Sequence, residues 1–136
     1  MKATTMIAAP VAAVWKVLLD VERWPDWTPT VTSARWLDPG GMRPGARVRL
    51  TQPKLGTAVW TVTDVQPGRS FVWIRRSPGV ATLGDHVLTD GPGGTSVTLG
   101  IEHSGPLAGL ARLLTDRLTR RYVETEAHSL KAHCEA

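Results

Sequence analysis

From residue 30 to residue 104 apolar and polar residues alternate with a period of two, and clusters of Pro, Gly, Asp and Ser interrupt the alternation at short intervals. The pattern predicts strands over 30–38, 46–52, 57–66, 69–76, 80–90 and 95–104. The interruptions are Asp38-Pro39-Gly40-Gly41, Pro53-Lys54-Leu55-Gly56, Gln66-Pro67-Gly68, Ser77-Pro78-Gly79 and Asp90-Gly91-Pro92-Gly93-Gly94, all of them turn chemistry. Connections this short join neighbouring strands as antiparallel hairpins, because a parallel crossover needs a much longer connection.

Helical periodicity flanks this meander on both sides. Residues 2–8 read as a further strand, and Pro10 then opens a helix carrying Val11, Val14, Trp15, Leu18 and Leu19 on one stripe. Asp20-Val21-Glu22-Arg23 fits a short second helix, stopped by Trp24-Pro25-Asp26-Trp27-Thr28-Pro29. After Gly105-Pro106 a long helix runs to about residue 133. At about 1.5 Å per residue it is roughly 40 Å long, enough to cross a sheet. One domain over residues 1–136 is expected, of the α+β class: a curved seven-stranded antiparallel sheet, two short helices after the first strand and a long C-terminal helix.

The long helix carries apolar residues on two sides. Leu107, Leu110, Leu114 and Leu118 share one side, while Val123, Ala127, Leu130 and Cys134 lie nearly opposite at 100° per residue. Either the helix bends near Thr119–Arg121, or its first half faces something other than the sheet, such as a cavity it covers.

Hairpin register decides which strand residues share a face. Pairing Asp90 with Thr95 sets Leu88 opposite Val97, His86 opposite Leu99, Gly84 opposite Ile101 and Thr82 opposite His103. Pairing Arg75 with Val80, and Val65 with Ser70, adds Trp60, Val62, Phe71 and Trp73 to the same apolar face. That face also carries Asp64, Arg75, Thr82, His86 and His103. Burying so many polar side chains unpaired costs several kcal/mol each, whereas an apolar concavity with a few convergent polar groups describes a ligand pocket.

Composition supports the pocket. The aromatics are six Trp against one Phe and one Tyr, and each indole brings a large flat surface and an N–H. Trp24 and Trp27 read either as a cavity mouth or as anchors of the short helix. The net charge of +4 is spread along the chain without the basic stripe of a nucleic-acid binder, so no nucleic-acid partner is expected. No apolar run is long enough to span a membrane. The lone Cys134, with no secretory leader in residues 1–20, points to a reducing, cytoplasmic setting. There is no metal-ligand spacing, phosphate-cradling glycine loop or dinucleotide fingerprint, so neither a metal nor a cofactor is expected.

Three stretches carry a resemblance. Ile7-Ala8-Ala9-Pro10 through Asp20-Val21-Glu22-Arg23-Trp24-Pro25-Asp26-Trp27 is the most specific of them. Trp60-Thr61-Val62-Thr63 with Pro67-Gly68 and Phe71-Val72-Trp73, and the run from His86 to Ser104-Gly105-Pro106-Leu107, complete it. Together they resemble polyketide cyclase/dehydrase-like members of the START and birch-pollen-allergen superfamily. The resemblance implies a helix-grip fold with an apolar cavity under the long helix, and a lipid-, polyketide- or hormone-like guest. It carries over no catalytic residue.

The expected ligand-binding residues are Trp27, Trp60, Val62, Phe71, Trp73, Arg75, His86, Leu99, Ile101, His103, Leu114, Leu118 and Tyr122. His86 and His103 are the acid–base candidates, but they sit four residues apart along the hairpin, roughly 13 Å, too far for a dyad or a shared metal. Each also reads as a histidine hydrogen-bonded at the sheet rim. Arg75 pairs with an anionic ligand group or with Asp64 or solvent, and Tyr122 lends its hydroxyl to the pocket or packs on the sheet. The leading expectation is a carrier or binder of a hydrophobic or aromatic small molecule, monomeric or homodimeric. The alternatives are a cyclase/dehydratase-type enzyme with histidine proton transfer, and a partner-binding module.

Overall fold

The computed structural model describes all residues 1–136. The chain begins with strand β1 (Lys2–Ile7), helix α1 (Val11–Leu19) and a 3-10 helix over Val21–Asp26. Six strands follow: β2 (Ser33–Trp36), β3 (Arg47–Gln52), β4 (Gly56–Gln66), β5 (Ser70–Ser77), β6 (Val80–Gly91) and β7 (Gly94–Ser104). Helix α2 (Ala108–Glu135) closes the chain. The seven strands form one sheet in the order β1-β7-β6-β5-β4-β3-β2, each pair antiparallel. Only β1 departs from the meander, pairing with β7 from the far end of the sequence.

Local chemistry accounts for the elements at the start. Pro10, at φ −65°, sits at the N-cap of α1, where its missing N–H costs no hydrogen bond. Val14 and Leu18, four residues apart, bury the inner side of α1. The 3-10 helix tolerates Pro25 and ends with Trp27 N–H bonded to Trp24 O. Trp24 is fully buried, and its Nε1–H donates to Leu18 O at 3.2 Å, tying the two short helices together.

The β6–β7 register agrees with the expectation at every pair: Leu88–Val97, His86–Leu99, Gly84–Ile101 and Thr82–His103. The β5–β6 hairpin is two residues tighter than expected, with Ser77 opposite Val80 and Arg75 opposite Thr82. Pro78-Gly79 makes a two-residue turn there, with Gly79 at φ 78°. A slip of two leaves every side chain on its own face.

In β4 the correction is larger. Val62 faces Trp73 as expected, but the register shifts between Val62 and Asp64. This bulge moves Asp64 to the solvent side and turns Val65 inward opposite Phe71. Asp64 therefore does not share the inner face.

Helix α2 lies against β1 and β7 and is pinned at its far end. Lys131 Nζ donates to Met6 O at 2.7 Å, and Ala8 N–H donates to Glu135 at 2.8 Å. Val123, Ala127 and Leu130 are buried under the helix. The same stripe continues toward the N-terminus as Thr119, Thr115 and Ala111, while Leu110, Leu113 and Leu114 face solvent. The helix keeps one inner side along its length, and Leu110, Leu113 and Leu114 lie on the outer one.

Candidate functional site

Between α2 and the concave face of the sheet lies a cavity of about 300 Å³, at the small end of the range for ligand sites. Its apolar wall is built from Trp24, Trp60, Trp73, Leu99 and Ile101. Gly84, also on the inner face, lets the wall close. A Cβ there would come within 2.9 Å of Trp73 Nε1, so only glycine allows the indole to lie across β6.

The aromatic groups form one connected cluster. Ring centroids of Trp73 lie 5.3 Å from Trp24, 6.0 Å from Trp60 and 5.1 Å from Phe71. His86 belongs to the cluster and stacks on Phe71 at 4.0 Å with an interplanar angle of 11°. Its burial among rings disfavours the charged form and pushes the imidazole down to about 3. At neutral pH His86 is therefore an uncharged member of the wall and a poor proton acceptor.

His103, from β7, also lines the cavity. Its Nδ1 pairs with the Thr82 hydroxyl at 2.9 Å, and its Nε2 is buried without a partner. Burial lowers its imidazole below the usual histidine value, and the Arg112 cation adds to the effect. The Thr82–His103 pair has the first two members of a nucleophile–base relay but no third group bonded to Nε2 to orient it.

Tyr122 projects from α2 toward the opposite rim, and its hydroxyl donates to Pro53 O in the β3–β4 turn. This bond straps the helix to the far side of the sheet. Lys54, in the same turn, and Arg75, from β5, also line the cavity.

The residue that sequence reasoning missed is Glu126. It sits one turn beyond Tyr122 on α2 and lines the cavity, with its side chain part-buried. Desolvation pushes its carboxyl up to about 7, with no neighbouring cation or hydrogen bond pulling it back. The signal was present in the spacing: Glu126 falls three residues after Val123 and four before Leu130, on the buried stripe.

Of the expected ligand-binding residues, the structure brings Trp60, Trp73, Arg75, His86, Leu99, Ile101, His103 and Tyr122 to the cavity. Five lie elsewhere. Val62 and Phe71 are buried in the core behind the wall. Trp27 packs beside Trp24 and stacks on His133 at 6.2 Å, so it anchors the 3-10 helix to the end of α2. Leu114 is 73% exposed on the outer side of α2, and Leu118 is also off the wall. The small residues Ala111, Thr115 and Thr119 take the places expected for these leucines, and their size leaves room for the cavity. No three His, Cys, Asp or Glu side chains converge closely enough to hold a metal ion.

Solved structures share this architecture. One domain of the di-domain ARO/CYC StfQ from the steffimycin biosynthetic pathway superimposes with a TM-score of 0.78 at 14% identity, over 99% of this chain and 50% of that one. The protein XoxI from Bacillus cereus gives 0.75 at 16% identity, over 98% and 93% of the two chains. A START superfamily protein from Mycobacterium smegmatis gives 0.72 at 16% identity, over 99% and 96%. At such identities the likeness concerns the fold, which is the START-like helix-grip fold. A search of curated proteins finds no match. The sequence profile described as "Polyketide cyclase / dehydrase and lipid transport" matches residues 1–135, so the chain belongs to that family.

Proposed function

We propose that the protein binds an apolar or aromatic small molecule, lipid- or polyketide-like, in the cavity beneath α2 and acts as its carrier. The observation that carries this reading is the cavity itself: about 300 Å³, walled by three indoles and aliphatic side chains, with polar side chains such as Gln52, Arg75, Thr82 and Glu126 making up much of the remaining lining. The family and the fold support a role of this kind. Because Trp24, Trp60 and Trp73 form the wall, a guest seated there alters indole emission. Titrating apolar and aromatic compounds against Trp fluorescence tests the reading. Saturable quenching that weakens when Leu99 becomes Trp, a substitution that fills the space, supports it. Quenching unaffected by that substitution overturns it.

A cyclase or dehydratase-type enzyme is the second reading, favoured by the fold shared with the ARO/CYC domain of StfQ. With His86 held neutral, His103 is the histidine left to move a proton in that reading. His103→Ala is then expected to abolish turnover of a poly-ketone while sparing its binding. In a carrier the same variant has no turnover to lose.

A further inference from the structure

The buried polar atoms that the cavity leaves without a partner are Trp60 Nε1, His86 Nδ1 and His103 Nε2; the indole can only donate, and each imidazole nitrogen donates or accepts with its tautomer. Trp60 Nε1–H is buried with no acceptor in reach. Arg75 and Lys54 line the wall and can only donate. Glu126, facing the same space, has no hydrogen-bond or ionic partner within the protein. A carboxyl desolvated at the cavity wall, with no cation bonded to it, favours its protonated form, which adds an O–H donor to the set. A buried donor left unpaired costs about 1–3 kcal/mol, so a guest that brings an acceptor oxygen relieves what the protein leaves unmet.

We propose that Glu126 selects the guest: its protonated carboxyl donates to a carbonyl oxygen of an uncharged apolar molecule, and ionisation of that carboxyl releases the guest. This rests on the cavity-binding reading and names the ligand chemistry within it. A carboxylate trapped beside a neutral ligand would lose both its water and its bond, so binding takes the acid form and the proton is linked to occupancy.

The other ionisable groups on the wall are Lys54 from the β3–β4 turn, Arg75 from β5, Asp85 and His86 from β6, His103 from β7 and Tyr122 from α2. Burial holds His86 and His103 below the ordinary histidine value and holds Tyr122 above the ordinary tyrosine value. Glu126, pushed up to about 7, titrates between pH 6 and pH 8, and its Gln variant separates its contribution from that of His103.

The test uses the fluorescent aryl ketone prodan and its parent dimethylaminonaphthalene, which lacks the ketone, with the full chain and the variants Glu126→Gln and Glu126→Leu. If the carboxyl must be protonated, the Kd for prodan weakens about tenfold from pH 6 to pH 8, as expected for a group titrating near pH 7. Glu126→Gln keeps a donor but no titration, so its Kd stays within about twofold across the same range. Glu126→Leu is expected to lose the preference for prodan over its ketone-free parent. A flat pH profile in the unmodified protein, an equal slope in Glu126→Gln, or no preference for the ketone overturns the role of Glu126 while leaving cavity binding intact. Failure of both probes to bind at either pH counts against the cavity-binding reading itself.

Discussion

The imidazole of His86 shows how one residue's surroundings decide its chemistry. In sequence it is a histidine alternating with outward-facing residues on a strand, open to a catalytic reading. In the fold it stacks on Phe71 and touches the rings of Trp24 and Trp73, with 5% of its surface exposed. That environment removes water from the cation and leaves the neutral ring as an aromatic wall piece. The pH consequence has a definite sign. Unfolded, the ring titrates near 6.5; folded, it is pushed down to about 3. Between those values the unfolded chain binds a proton that the folded one does not, so stability falls as pH drops below 6.5. The contribution of His86 is about 1.4 kcal/mol per pH unit in that window. Urea unfolding at pH 7, 6 and 5 is expected to show this loss, and His86→Phe to reduce it. Equal slopes in the two proteins would contradict the burial-driven shift.

Helix α2 carries the sharpest difference between expectation and structure at the scale of an element. Leu107, Leu110, Leu114 and Leu118 read as one apolar stripe facing the sheet or a cavity, yet Leu110 and Leu114 are 51% and 73% exposed. Small and hydroxylated residues hold the inner side instead, because leucines there would fill the space the sheet encloses. Hydrophobicity marks the residues that are able to be buried; it does not mark those that a hollow fold keeps small. Leu113→Ser and Leu114→Ser should each change stability by less than about 0.5 kcal/mol, as surface substitutions do. A loss of 2–5 kcal/mol in thermal or urea unfolding, the range for a buried leucine, would place them inside. The strands were more legible. Turn residues set the β6–β7 register correctly, and the β5–β6 slip by two kept all faces. The bulge in β4 was not legible, since nothing in Val62-Thr63-Asp64 distinguishes a regular strand from one that inserts a residue.

At the scale of the molecule, a curled sheet is gripped by one helix held at two places. Lys131 and Glu135 fix its end to the β1 segment, and Tyr122 straps its middle to the β3–β4 turn. N-terminal to Tyr122 the helix bridges a hollow lined by Ala111, Thr115 and Thr119, while beyond it Val123, Ala127 and Leu130 pack on the core. A guest that fills the hollow binds the folded state alone and stabilises it by mass action, by about 2.7 kcal/mol at a hundredfold excess over Kd. For a chain of this size that raises Tm by several degrees. Differential scanning calorimetry with and without a ligand that quenches Trp emission measures it, and an unchanged Tm at saturation would show that the quenching arises outside the cavity.

The amino-acid sequence alone determined the strand count, the antiparallel order, the long closing helix and the presence of polar groups on an apolar face. These follow from periodicity and turn chemistry, which act over a few residues. The Trp excess was also legible as wall and anchor, although Trp24 proved to be wall and Trp27 anchor. Only the tertiary structure decided which side of α2 faces inward, that His86 is neutral, that Asp64 is outside and that Glu126 is a lone carboxyl in the cavity. Each of those depends on which distant surface closes over a side chain. Spacing puts Glu126 on the buried stripe of α2, but desolvation and cavity shape are set by segments far apart in the chain.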